Sequence, residues 1–347
     1  METVIFSSDI RATLAEILRA RQFSKLVVLT DSNTHQFCLP LVQEVVPPTT
    51  VFISVPAGEQ HKTLETCSII WGQMTEAVLD RQALVINLGG GVIGDMGGFC
   101  ASVYKRGIPF ITIPTTLLSQ VDASVGGKLG IDFLGFKNHL GVFQLPEAVL
   151  IASEFLATLP QRELRSGYAE VIKHGLIRDA TYFRALPSTN WQKQDWARII
   201  RHSIEIKKAV VQVDPKESGL RKILNFGHTI GHAIESFYLT RSQPLLHGEA
   251  IAIGMIAEGF LSFEKIGFSF EELNEMSTML LTIFGKVELD PNDCDRLVEL
   301  CAQDKKNEGS TQLFTLLPKI GDCNYNIAVT REEIKHAILY YQQLRLA

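Results

Sequence analysis

Along the first part of the chain, short apolar runs rich in β-branched residues alternate with stretches whose apolar positions recur at helical spacing. Lys25 to Thr30, Val51 to Val55, Leu84 to Leu88, Phe110 to Ile113 and Ala148 to Ile151 read as strands, and 9–20, 34–46, 62–79 and 93–104 as helices. Alternation of this kind predicts an α/β domain with a mostly parallel sheet. The pattern changes near residue 152. Beyond Pro160, apolar residues fall at three- and four-residue intervals through 162–185, 192–212, 227–239 and 247–265, and further helices are expected at 269–285, 290–302 and from Arg331 to Leu344. The expectation is an α/β domain over 1–152 followed by an all-α domain over 153–347, with a stray strand at Gln312 to Leu317. Reactive residues divided between two such domains predict an active site in the cleft between them.

Composition narrows the function classes. A chain of 347 residues exceeds what one hydrophobic core usually supports, which favours two domains. Apolar and charged fractions of 46% and 20% are those of a soluble globular protein, and the longest apolar run, Ile251 to Ile256, is interrupted by Gly254 and Glu258. No membrane span is expected. The opening Met1-Glu2-Thr3-Val4 lacks the basic and apolar regions of a signal peptide, which predicts a cytoplasmic protein. The six cysteines show no paired metal-type spacing and read as reduced, mostly buried thiols. A formal charge of −5 argues against nucleic acid as a partner. Lysines and arginines nevertheless recur beside the glycine- and histidine-rich motifs, a local pattern that suits a small anionic substrate.

The richest chemistry lies in Arg221-Lys222-Ile223-Leu224-Asn225-Phe226-Gly227-His228-Thr229-Ile230-Gly231-His232, followed by His247-Gly248-Glu249, which gathers three of the nine histidines. His228 and His232 are four apart and share one face of a helix, and His247 can return from the next element. Neutral imidazole is a common metal ligand, and catalytic zinc sites often add a carboxylate. Glu170, a polar residue in a largely apolar helical pattern, is the best upstream carboxylate, so one histidine is free for other work. His35, His61, His139, His202 and His336 read as structural or solvated, as does His174 despite its place four after Glu170. A second motif, Gly89-Gly90-Gly91-Val92-Ile93-Gly94-Asp95, follows a strand and fits a turn that brings backbone amides to a pyrophosphate. The acidic residue expected roughly twenty positions later for a dinucleotide ribose is missing. Asp31-Ser32-Asn33, at the end of an earlier strand, can supply the carboxylate instead.

These motifs, in order with Gly58-Glu59-Gln60-His61-Lys62, Lys105-Arg106-Gly107, Pro114-Thr115-Thr116-Leu117-Leu118-Ser119-Gln120-Val121-Asp122, Gly126-Gly127-Lys128, Lys137-Asn138 and Glu170 with Lys173, resemble the 3-dehydroquinate synthases among the sugar phosphate cyclases. The likeness runs from about residue 25 to about residue 320. It implies a metal, zinc or cobalt, held by Glu170, His228 and His247, with His232 a proton-transfer group. It implies NAD along Asp31, Asn33, Glu59, Lys62, Gly90, Gly91, Asp95, Thr115, Thr116 and Lys137, with Phe155 to Thr158 closing over it. Arg106, Asp122, Lys128, Asn138, Lys173, Lys207, Arg221, Asn225 and one of Lys305 or Lys306 would hold the substrate, and Glu217 would move a proton. The implied reaction converts a seven-carbon keto-sugar acid phosphate, 3-deoxy-arabino-heptulosonate 7-phosphate, to 3-dehydroquinate and phosphate, in a homodimer. Leu129, Asp132, Phe136 and His139 depart from the family pattern, which puts cofactor affinity in question.

Three other functions remain open from the residues. Another sugar phosphate cyclase would act on a substrate without the carboxylate, for which Arg221 and Asn225 would have little use. A metal-dependent glycerol-type alcohol dehydrogenase would accumulate NADH. A nucleotide-binding sensor would keep the glycines but not the ligand triad.

Overall fold

The computed structural model describes residues 3–123, 125–134, 136–239, 241, 243–302 and 312–344. The chain divides into two compact units, one comprising Met1–Pro160 with Trp196–Ile204, the other Gln161–Asp195 with Glu205–Ala347.

The first unit is built on β1 (Val4–Ser7), α1 (Ile10–Arg19), β2 (Leu26–Asp31), α2 (Ser32–Phe37), β3 (Val51–Val55), α3 (Leu64–Glu76), β4 (Leu84–Gly89), α4 (Gly91–Val103), β5 (Phe110–Pro114), β6 (Lys128–Phe133), β7 (Phe136–Phe143) and β8 (Ala148–Ala152). Six strands form a parallel sheet in the order β1-β8-β5-β4-β2-β3. Both faces of that sheet are covered. Leu26 and Val28 of β2 join a core with Ile10 and Leu14 of α1, while Val27 and Leu29 join another with Cys67, Ile70 and Met74 of α3 and Met96 of α4. Two-sided burial explains why β2, β4, β5 and β8 read as continuous apolar runs.

All five strands expected from the pattern are present. The chain adds β1 at one edge and an antiparallel hairpin, β6 with β7, paired from Lys128↔Phe143 to Phe133↔Phe136. The helix expected over 34–46 starts at Ser32 and gives way to a 3-10 turn at Leu39–Leu41, because Pro40 supplies no amide hydrogen to an α-helical ladder. Where the chain leaves β5, a π-helical turn at Ser119–Ala123 is pinned by Gln120, which is 0% exposed and donates from Nε2 to Pro114 O at 3.0 Å and Ala152 O at 2.9 Å.

The second unit is helical: α5 (Gln161–Arg178), α6 (Ala180–Ala185), α7 (Trp196–Val213, whose residues to Ile204 group with the first unit), α8 (His228–Tyr238), α9 (His247–Ile266), α10 (Phe270–Phe284), α11 (Cys294–Ala302) and α12 (Arg331–Gln343). The helix expected over 162–185 is two helices, because Asp179 adopts an extended conformation and caps α6 through the Tyr182 amide. The strand expected at Gln312 to Leu317 is present as β9 (Gln312–Lys319), paired antiparallel with β10 (Asp322–Val329). Helices α5 and α9 are buried nearly all round, from Ser166 to Ile177 and from Gly248 to Ser262. No helix among the described residues is long and apolar enough to cross a membrane.

Replacing Gln120 with leucine orphans two buried carbonyls, each costing about 1–3 kcal/mol. The thermal unfolding midpoint of Gln120→Leu is expected to fall by at least about 4 °C relative to the parent in a melting experiment.

Candidate functional site

In the second unit three helices deliver one side-chain cluster. Glu170, 0% exposed, projects from the middle of α5, and Lys173 one turn on forms an ion pair with its Oε2. His228 opens α8 and His247 opens α9. The Nε2 atoms of both lie 3.6 Å from Glu170 Oε1. Their other ring nitrogens are engaged elsewhere: His228 Nδ1 meets Phe226 O at 3.1 Å and His247 Nδ1 meets Glu235 Oε2 at 3.3 Å. Such Nδ1 partners fix ring orientation and leave Nε2 aimed at a common point. Ligand atoms of Glu170, His228 and His247 lie within 4.8 Å of one another, as do those of His232, Glu235 and His247. The His232 ring centroid is 5.0 Å from that of His228 and 5.8 Å from that of His247, and His232 is exposed.

The helices meet this closely because a glycine stands where α9 begins. A Cβ on Gly248 would lie 2.0 Å from Ser166 O of α5, while the Gly248 amide donates to Ser166 Oγ at 2.9 Å. Glu249, next in sequence, accepts from the Leu246 amide and from Arg162 and Arg165, which tie the start of α9 to α5.

Electrostatics divides the two imidazoles. Burial, reinforced by the Lys173 ammonium, holds His228 well below the usual histidine range against the pull of Glu170. Burial also disfavours a proton on His247, but hydrogen bonds to Glu170 and Glu235 outweigh it and push that ring up to about 10.

Glu217, Arg221 and Asn225 come from the segment between α7 and α8. The Asp214 carboxylate organises it: Oδ1 accepts from the Ser218 amide and hydroxyl, and Oδ2 from the Gly219 amide at 2.7 Å and the Arg221 amide at 3.0 Å. Glu217 sits in the left-handed region at φ 61° and accepts from Asn225 Nδ2 at 2.7 Å, and buried Arg221 donates to Pro215 O at 2.6 Å. Lys207 is buried on α7. Lys305 and Lys306 lie outside the described residues.

In the first unit, Gly90 precedes α4 without any side-chain cap and lines a small cleft with Gly91, Asp95, Ser119 and Lys128 among others. Beside it Lys62, 3% exposed, donates to Asp95 Oδ2 at 2.7 Å and Asn138 Oδ1 at 2.6 Å. Burial disfavours its charge, yet Asp95 and Glu59 raise its pKa above the usual lysine value. Lys137 lies 3.7 Å from Glu59, and Asp132 accepts from the Asn138 amide at 2.8 Å, holding Asn138 at φ 50°. Asp31 spends Oδ1 on the amides of Asn33 and Thr34 as the cap of α2. Thr115 is buried at the end of β5, Thr116 bonds Ser119, Asp122 lies in the π-helical turn, and Arg106 is exposed at φ 69°. Phe155 is 1% exposed within the core of this unit, and Thr158 is exposed.

Sequence reading missed Glu235 and Asp214. Glu235 carried a signal, standing seven residues after His228 and so on the same face of α8. Asp214 carried less, a single acidic residue just past a helix end and ahead of Gly219.

Comparison with known proteins identifies the family. Residues 52–166 match the 3-dehydroquinate synthase N-terminal family profile and residues 167–307 the C-terminal one. A 3-dehydroquinate synthase of Parabacteroides distasonis is 39% identical, over 99% of this chain and 98% of that protein. The structure of a 2-epi-5-epi-valiolone synthase from Streptomyces hygroscopicus subsp. jinggangensis with NAD+ and Zn2+ bound superposes with a TM-score of 0.87, at 28% identity over 98% of this chain and 96% of that one. A 2-deoxy-scyllo-inosose synthase complexed with carbaglucose-6-phosphate, NAD+ and Co2+ shares the fold with a TM-score of 0.84 at 23% identity, over 96% of this chain and 95% of that one.

Asp214 generates a pH-dependent prediction. Burial alone would raise its pKa, but the amides of Gly219, Arg221 and Ser218 and the Ser218 hydroxyl outweigh it and push the carboxyl down to about 2. A depressed carboxylate stabilises the folded state above its unfolded pKa of about 3.9, and that contribution is lost as pH falls through the folded value. The gap in urea midpoint between the parent protein and Asp214→Asn is therefore expected to be full at neutral pH, to shrink below about pH 4 and to close towards about pH 2.

Proposed function

The chain belongs to the 3-dehydroquinate synthase family, and from that premise we propose that it converts 3-deoxy-arabino-heptulosonate 7-phosphate to 3-dehydroquinate and inorganic phosphate, using NAD and a divalent metal, zinc or cobalt. What carries this conclusion is the arrangement of Glu170 Oε1 at 3.6 Å from the Nε2 atoms of both His228 and His247, whose Nδ1 atoms are held by Phe226 O and Glu235. One buried carboxylate and two oriented imidazoles fit a three-ligand catalytic metal site that leaves a position open for substrate. The uncapped start of α4 over its cleft fits a pyrophosphate, with Asp31, Asn33, Glu59, Lys62, Asp95, Thr115, Thr116, Lys137 and the segment Phe155 to Thr158 assigned to the same cofactor.

The bound groups supply reversible hydride removal and Lewis-acid activation of a hydroxyl. The chain's own residues do the rest. Lys173, Lys207 and Arg221, all buried, neutralise a substrate that bears both a carboxylate and a phosphate, and Asn225 fixes its orientation. Arg106, Asp122, Lys128 and Asn138 carry the same substrate-binding assignment in the first unit. His232, exposed beside the two metal-binding imidazoles, moves the proton of the activated hydroxyl. Glu217, held by Asn225, is the second proton carrier. The substrate is oxidised to a ketone, loses the adjacent proton with its phosphate, is reduced again, opens and closes its carbocycle by aldol addition. The chemistry is redox-neutral overall. A cytoplasmic homodimer completes the proposal.

The purified protein supplied with NAD and zinc is expected to release one phosphate per heptulosonate phosphate consumed, with no accumulation of NADH. Absence of phosphate release sinks the proposal, and a steady rise in NADH would point to an alcohol dehydrogenase instead. Glu170→Ala and His247→Ala are expected to lose stoichiometric zinc by atomic absorption. His232→Ala should keep its zinc and lose about 100-fold or more in kcat.

A further inference from the structure

We infer that Glu258 is a positioning residue of the metal centre: from α9 it caps the start of α8 and thereby fixes the backbone that carries His228. The inference rests on the metal assignment made above and goes beyond it, because Glu258 is not among the residues assigned to hold the metal.

The first turn of any helix leaves amide hydrogens without intrahelical partners, and an N-cap Ser, Thr, Asp or Asn usually satisfies one of them. No local cap is available to α8. The residue before it is Gly227, in the left-handed region at φ 78°, and a Cβ there would meet Met255 Cγ at 2.5 Å and Met255 N at 3.0 Å. Helix α9 therefore packs against the place where a capping side chain would stand. Glu258, on α9 itself, fills the role from across the contact. Its Oε2 accepts from the Gly227 amide at 2.6 Å and its Oε1 from the Ile230 amide at 3.1 Å, with the residue 0% exposed. His228 stands between those two amides in sequence, so the carboxylate brackets the ligand's own Cα.

A buried carboxylate is a costly way to fill that space. The positive end of the helix dipole and charge-assisted hydrogen bonds offset the cost here. The opposite exchange is also present: Glu235 of α8 holds His247 Nδ1 at the start of α9 at 3.3 Å. Each helix that opens with a metal-binding histidine is thus held by a carboxylate from the other. A cap serving stability alone would need no such reciprocity, and it would leave the ligands' affinity for metal independent of residue 258.

The experiment compares zinc affinity of the full chain, by competition with a chromophoric chelator, with the melting temperature of the zinc-free protein. E258Q keeps one acceptor but turns a donor towards an amide, and E258M fills a similar volume with no acceptor at all. Ser262 provides the control: buried one turn further along α9, it donates to Glu258 O and accepts from the Leu317 amide, so S262A should destabilise without touching the cap. The expected result is zinc affinity weakened by about 10-fold or more in E258Q and E258M and within about twofold of the parent in S262A, even where S262A melts lower. Zinc affinity within twofold of the parent in both Glu258 variants overturns the inference. So does an equal loss of affinity in S262A, which would make it a general consequence of destabilisation. Failure of both Glu258 variants to yield folded protein would assign the residue to folding and overturn it too. A parent protein that binds no stoichiometric zinc would sink the metal assignment itself, a separate and earlier failure.

Discussion

A carboxylate taken wholly out of water is the constraint on which the second unit turns. Burying an ionised Glu170 among the apolar residues of α5 is expensive, and the ammonium of Lys173 one turn away offsets that only in part, since buried ion pairs seldom improve on well-packed apolar side chains. Stability therefore gives little reason to keep the pair. Chemistry does, because one oxygen of Glu170 also faces the Nε2 atoms of two imidazoles. The cluster has a price in folding free energy, which points to a role other than stability.

Bringing the three groups together demands backbones closer than ordinary side chains allow. Gly248 lets the start of α9 lie on the backbone of α5, and Gly227 lets α8 begin against Met255 of α9. With the helix starts fixed, ring orientation follows from the Nδ1 partners, one a carbonyl and one a carboxylate. The same partners set the charge. Burial and the Lys173 ammonium disfavour a proton on His228, whereas Glu170 and Glu235 favour one on His247, which lies between the two carboxylates.

Much of this was readable in the residues alone, for identifiable reasons. Strands β2, β3, β4, β5 and β8 announced themselves because most of their residues are apolar and packed on one or other face of the sheet. Strand β1 is short and lies at the sheet edge, and the hairpin of β6 and β7 hid inside a motif, Gly126-Gly127-Lys128 through Lys137-Asn138, that reads as loop chemistry. Histidine spacing found the cluster of the second unit. It did not choose among the imidazoles, since His232 shares a helix face with His228, and the choice came from the family resemblance. Asp132, a departure from the family pattern, keeps a role through its bond to the Asn138 amide, which an asparagine oxygen would also accept.

Residues that hold other residues in place were the hardest to read, and Glu258 shows why. In the sequence it is an acidic interruption of an apolar run, useful mainly to dismiss a membrane span. A carboxylate buried in such a helix must find partners, so its presence could have been flagged as a question about α9. The answer could not, because the partners are backbone amides of another helix, and every residue except proline carries the same amide. Glu235 differs in that its partner is a histidine side chain, and its spacing from His228 left a trace. Side chains that act on side chains write themselves into the pattern of residue types, while those that act on the backbone become visible only once the fold has brought a helix start within their reach.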